Sequence, residues 1–156
     1  LRSVFQETYQ KMQNFPDSKL VVVAASMSSH ILSTYIWDAD HGKGIFKSIP
    51  ANKKNNLKNL SYLATVGSNI PLFVSGFSES EIVAFDKRND DFVWDNYYDK
   101  DDVLGWPLKQ LSTTYTNLVN DFQINTGLYV GSHLKYWDDN DFTKPFTQNM
   151  LELFSS

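Results

Sequence analysis

The spacing of apolar positions changes several times along the chain, and each change marks an element. Leu20-Val21-Val22-Val23-Ala24-Ala25 is continuously apolar and β-branched through its centre. A strand that alternated out to water would not read this way, so the run predicts a strand covered on both faces within a parallel sheet. Ser28 or Ser29 then supplies a helix cap, and Ile31, Leu32, Tyr35 and Ile36 share one helical face that ends in the turn-rich stretch from Asp38 to Gly44. Tyr62 to Gly67 reads as a second strand, with a short helical stretch around Leu57 and Leu60 before it and a loop containing Pro71 behind it. From Asp91 to Tyr98, Phe92, Trp94 and Asn96 alternate with Val93, Asp95 and Tyr97, giving a third strand that runs into Asp99-Lys100-Asp101-Asp102. A fourth, shorter strand is expected between Ile124 and Val130, just before Gly131-Ser132-His133. Phe146, Met150 and Phe154 recur on one helical face near the end, with Thr143 as N-cap and Pro145 inside the first turn. At the other end, Val4, Phe5, Met12 and Phe15 form a loose helical stripe over residues 2–14, closed by Asn14 and Pro16.

Strands alternating with helices predict an α/β fold, with a mainly parallel sheet of about four strands flanked by helices in one domain over residues 1–156. A chain of this length builds one core without a metal or disulfide staple. The absence of cysteine excludes a disulfide framework, a Cys-based zinc site, an iron–sulfur cluster and a thiol nucleophile. Hydroxyls, carboxylates and amines remain. With 14 Lys and Arg against 18 Asp and Glu, the net charge of −4 disfavours nucleic acid as the main ligand. The densest basic segment, Lys53-Lys54-Asn55-Asn56-Leu57-Lys58, lacks interleaved aromatics and reads as a solvated surface. No apolar run reaches the length of a transmembrane helix, so a soluble, cytoplasmic chain is expected. It begins with Leu1 rather than Met, which points to a chain cut from something longer.

Ligands of an open parallel sheet sit beyond the carboxyl ends of its strands. Three residues fall there in a telling order: Ser26 after the first strand, Asp101 or its neighbour Asp102 after the third, and His133 after the last. A serine hydroxyl attacks at neutral pH only when an imidazole takes its proton and a carboxylate orients and stabilises that imidazole. A sharp strand-to-helix turn at such a serine demands small residues two before and two after; Ala24 and Ser28 meet that demand. The plainer reading of Ser26 is a helix cap or turn residue.

Taken together, the segments resemble bacterial α/β-hydrolases of the esterase and lipase kind. Val21 to Leu32 is similar to their nucleophile elbow, with Ala25 where His is frequent and Ser28 where Gly is usual. Asn96-Tyr97-Tyr98-Asp99-Lys100-Asp101-Asp102-Val103-Leu104 resembles their acid loop, and Ser132-His133 followed by Tyr136-Trp137 resembles the segment bearing their histidine. The resemblance implies the C-terminal portion of such a fold, lacking the N-terminal strands, and a serine hydrolase acting on a small-molecule ester or related acyl bond without a cofactor. It places the nucleophile at Ser26, the acid at Asp101 and the base at His133, with the Met27 N–H as one oxyanion donor. A first strand deprived of its neighbour further implies a homo-oligomer or a missing companion segment. Two other readings stand beside it: a catalytically impaired module that binds a partner through its open sheet edge, and a flavodoxin-like ligand-binding domain without a triad.

The remaining candidates have plain readings. His30 is a packed or surface helix residue rather than a base. His41 lies near Asp38 and Asp40, and Asp99, Asp101 and Asp102, like Asp138, Asp139 and Asp141, form acidic runs; solvated loops account for all of them, and no metal is expected. Gly42-x-Gly44 lacks the helix a nucleotide site needs. Trp94, Tyr97, Tyr98, Trp106, Tyr136 and Trp137 bracket the acid and histidine loops as packing or as walls of an apolar pocket.

Overall fold

In the computed structural model, residues 18–49, 56–127 and 129–155 are described, with residues 3, 7, 10 and 11 near the start. The stripe over residues 2–14 and the basic segment from Lys53 therefore fall largely outside the described residues. The elements are β1 (Leu20–Ala25), α1 (Met27–His41), β2 (Leu60–Val66), α2 (Ile70–Val74), β3 (Val93–Asp99), α3 (Thr113–Leu118), β4 (Val119–Ile124) and α4 (Asn140–Ser155), with short 3-10 turns between them. The sheet is entirely parallel in the order β1-β2-β3-β4, so every chain crossover returns beside the strand it left. This confirms an α/β architecture.

Period-two alternation divides the sheet into two faces. Ala24, Leu63, Trp94 and Val119 point toward α1, α2 and α3, meeting Leu32, Ile36, Ile70 and Tyr115. Tyr62, Ala64, Val66, Tyr97 and Ile124 point the other way, where Phe142, Phe146, Met150 and Leu153 of α4 cover them. Phe154, expected on the same stripe, is exposed. The run in β1 reads as continuously apolar because both of its faces pack on hydrophobic side chains. Each face also carries a polar relay. Trp94 Nε1 donates to Thr65 Oγ1 (3.0 Å), Thr65 Oγ1 to Asn96 Oδ1 (2.8 Å), and Asn96 Nδ2 to Asp121 Oδ1 (2.7 Å). Asp121 in turn accepts the Leu108 and Lys109 N–H groups. Such groups are tolerated in a core because each has a partner.

Three local expectations are corrected. The fourth strand lies at Val119–Ile124, ahead of the expected Ile124–Val130, because Asn120, Asp121 and Gln123 hide a strand whose polar side chains bond along the sheet. Among the described residues no helix forms around Leu57 and Leu60: Leu57 takes a positive φ of 55° and Leu60 opens β2. The last helix starts before Thr143, since Asp139 Oδ1 accepts the Asp141 N–H (2.7 Å) and so caps the turn beginning at Asn140.

Trp94 is fully buried, stacked on Phe85 at 5.0 Å and central to one face. Trp94→Ala is expected to cost about 3–5 kcal/mol. Urea denaturation followed by circular dichroism checks this; an unchanged midpoint would contradict the packing assigned to it.

Candidate active site

Because all four strands run the same way, their carboxyl ends share one edge of the sheet, and the loops leaving that edge converge. At the end of β1 the chain reverses through Ser26, whose φ of 51° and ψ of −127° lie in a region that side chains other than glycine rarely occupy. The turn is tied on both sides. Ser26 N–H donates to Val66 O (2.9 Å), continuing the β1–β2 ladder, and Ser26 O accepts the Ser29 N–H (3.1 Å) and hydroxyl. Ser28 is accommodated because its hydroxyl folds back to Ala25 O (2.6 Å) and its side chain is exposed. Ser29, buried behind the turn, meets the Ser68 hydroxyl at 2.8 Å.

Ser26 precedes α1, yet its hydroxyl makes no capping bond. It lies instead 2.9 Å from His133 Nε2, across 107 residues of sequence. The other ring nitrogen, Nδ1, is 2.8 Å from Asp102 Oδ2. A carboxylate only accepts, so Nδ1 carries the proton and Nε2 is left to accept the serine O–H. His133 is 14% exposed in its side chain and Asp102 1%. Ser26, His133 and Asp102 thus form one hydrogen-bonded chain from the rim of the site into the protein.

Asp101, the expected acid, is not the partner of His133. β3 extends through Asp99, whose Oδ1 accepts the Asp101 N–H (2.9 Å) and whose carbonyl accepts the Asp102 N–H (3.1 Å). This turn brings Asp102, rather than Asp101, back over the sheet edge. Asp102 fills a recess floored by glycine backbones: a Cβ on Gly105 would lie 2.5 Å from Asp102 Oδ2 and 2.8 Å from Gly67 Cα. On Gly67, at φ 55°, it would lie 3.0 Å from Asp102 Oδ2 and 3.1 Å from His133 Cε1. The buried carboxylate collects three donors: His133 Nδ1–H, the Tyr136 hydroxyl (2.9 Å) and the Leu104 N–H (2.9 Å).

A further set of residues holds the histidine loop. Asp99, 1% exposed, accepts the Thr126 N–H on Oδ2, and the single Thr126 hydroxyl proton is shared between Asp99 Oδ2 and Ser132 O, each 2.9 Å from Oγ1. Sequence reasoning placed Asp99 and Tyr136 beside the site without a role, and passed over Thr126, Gly67 and Gly105. The signal available for the acid was the Asp102-x-x-Gly105 spacing, since only a residue without a side chain fits against the carboxylate.

Met27 opens α1, so its N–H is one of those with no partner within the helix, and it sits beside the serine at the positive end of a 15-residue helix. The other histidines are engaged elsewhere: His30 stacks on Phe73 at 4.3 Å, with burial lowering its pKa, and His41 lies over Trp37 at 4.0 Å. Asp40 is paired with the buried Arg88 guanidinium. Among the described residues, no three His, Asp or Glu side chains are grouped to hold a metal ion, and no helix is long and apolar enough to cross a membrane. Comparison with protein-family models, curated proteins and solved structures gave no match.

The backbone at Ser26 yields a test that needs no substrate. Elsewhere Gly is less stabilising than Ala by about 0.5–1 kcal/mol, but in this conformation the order reverses. Ser26→Gly is expected to be more stable than Ser26→Ala by about 1 kcal/mol, measured by urea denaturation. Equal stabilities, or Ala ahead, would contradict the left-handed turn.

Proposed function

We propose that the chain is a serine hydrolase of the α/β-hydrolase kind that cleaves an ester or related acyl bond. The observation that carries this reading is the bonded chain Ser26–His133–Asp102 ending on a serine at a strained strand-to-helix turn. A serine serving only as a helix cap needs neither feature. In the proposed reaction Ser26 Oγ attacks the acyl carbon while His133 Nε2 takes its proton. Charge builds on the carbonyl oxygen, where the Met27 N–H donates; one such donor is worth about 3 kcal/mol. Collapse breaks the ester C–O bond, and His133 returns the proton to the departing alcohol. Water then repeats the sequence on the acyl-enzyme, releasing the acid and restoring Ser26.

Apolar side chains near the site support an apolar group on the substrate. Met27, Leu72, Phe73 and Leu104 are exposed on the segments that carry or flank Ser26, Gly67 and Asp102.

A fluorophosphonate probe is expected to label the protein at Ser26, read by mass spectrometry of the modified peptide. Ser26→Ala and His133→Ala lose the label, and Asp102→Asn slows labelling by as much as about 10⁴-fold. Asp101→Ala keeps the wild-type rate. A folded wild type that takes no label, or an Asp101→Ala variant as slow as Asp102→Asn, would sink this assignment.

The β1 edge supports a second reading, in which a hydrolase-like module pairs with another chain. Among the described residues β2 is the one strand paired with β1, and Leu20 to Val23 are only half-buried. An apolar strand with one free edge is a template for strand addition, here to a second copy. Sedimentation velocity should show a dimer that Val23→Lys weakens; a monomer at all concentrations would count against it.

A further inference from the structure

Tyr136 belongs to the site in a way the Ser–His–Asp chain does not require. Its ring is fully buried, and its hydroxyl accepts the Asp99 N–H (3.0 Å) while donating to Asp102 Oδ2 (2.9 Å). That oxygen is the one bonded to His133 Nδ1. The two donors therefore share one acceptor, and whatever the tyrosine withdraws from it is withdrawn from the imidazole. An N–H donating to the phenol oxygen polarises the O–H and strengthens its own donation. Burial, followed by the bond to Asp102, raises the Tyr136 pKa, which keeps the hydroxyl protonated and donating.

We propose that Tyr136 is a positioning residue that acts through Asp102: it fixes the carboxylate in its glycine recess and limits how strongly that carboxylate stabilises the charged imidazole of His133. This rests on the hydrolase reading for its catalytic consequence but not for its physical content. Among the described residues, the titratable groups bonded to Asp102, Tyr136 and His133 are the Ser26 hydroxyl and, through its N–H, Asp99 on the neighbouring turn. Asp99 is occupied by Thr126 and the Asp101 N–H. The direction of the effect follows from the dipole. The hydroxyl turns its positive end toward Asp102 Oδ2, beside the ring, and so opposes a proton on Nε2. Removing it leaves Asp102 Oδ2 to His133 alone and favours the imidazolium. A higher pH is then needed to free Nε2 as a base.

The test is a two-dimensional NMR titration of the His133 ring in the full chain, assigned with a His133→Gln variant. In Tyr136→Phe, which keeps the buried ring, the midpoint is expected to move to higher pH by about half a unit, less than a full neutral hydrogen bond would supply. Replacing Tyr136 with 3-fluorotyrosine, a stronger donor of nearly the same size, should move it to lower pH and covers the case in which the Phe variant fails to fold. If esters are hydrolysed, the acid limb of the kcat/KM profile shifts with the NMR midpoint, while KM stays constant. A purely structural tyrosine would lower stability and leave the midpoint in place. An unmoved midpoint in both proteins, or movement in the same direction, overturns the proposal. A protein that shows the shifts but takes no fluorophosphonate label overturns the hydrolase reading alone.

Discussion

A carboxylate cannot be buried alone, and the edge of the sheet where the strands end is organised around that constraint. Asp102 is almost wholly withdrawn from water, where an unpaired charge would cost several kcal/mol. Its partners come from two distant stretches of chain: Leu104 from its own turn after β3, His133 and Tyr136 from the turns ahead of α4. The backbones of Gly67 and Gly105 close the remaining space. Satisfying one charge thus fixes the loops after β2, β3 and β4 relative to each other. Ser26 is then met by an imidazole whose orientation was settled on its far side.

The same logic operates beneath the site. Trp94, Thr65, Asn96 and Asp121 form a line of hydrogen bonds on one face of the sheet, and on the other Asp95 accepts from Tyr62, Asn120 and Asn149. Apolar contact alone tolerates sliding of one strand past the next. Specific donors set opposite specific acceptors do not, so these lines pin the register of β2, β3 and β4 and hold their ends level. The geometry above depends on that levelness, because a one-residue slip would turn every side chain to the opposite face.

The parts of the fold legible in the sequence were those in which one force dominates. β1 was read to the residue because both faces are covered and every position is apolar. β4 was misplaced because its side chains spend their bonds on neighbouring strands, which looks polar when read locally. Ser26 and His133 stood out by type and order. Asp101 and Asp102 are identical in chemistry, and only the extension of β3 through Asp99, a property of sheet pairing, decides between them. Tyr136 passed for packing because aromatic residues are common in cores and the role of its hydroxyl depends on a partner 34 positions away.

The division of helices between the faces has a consequence for how the molecule comes into being. α1, α2 and α3 each lie between strands and close their face as the sheet grows, whereas among the described residues α4 alone covers the other face, and it follows all four strands. During synthesis the tyrosine- and valine-lined face gains this cover only once α4 has left the ribosome. His133 and Tyr136 lie just before it. A half-made chain therefore has its Ser26 turn in place but neither His133 nor this second apolar roof, and the moment at which that face is covered is also the moment at which the Ser26–His133–Asp102 hydrogen-bonded chain is assembled.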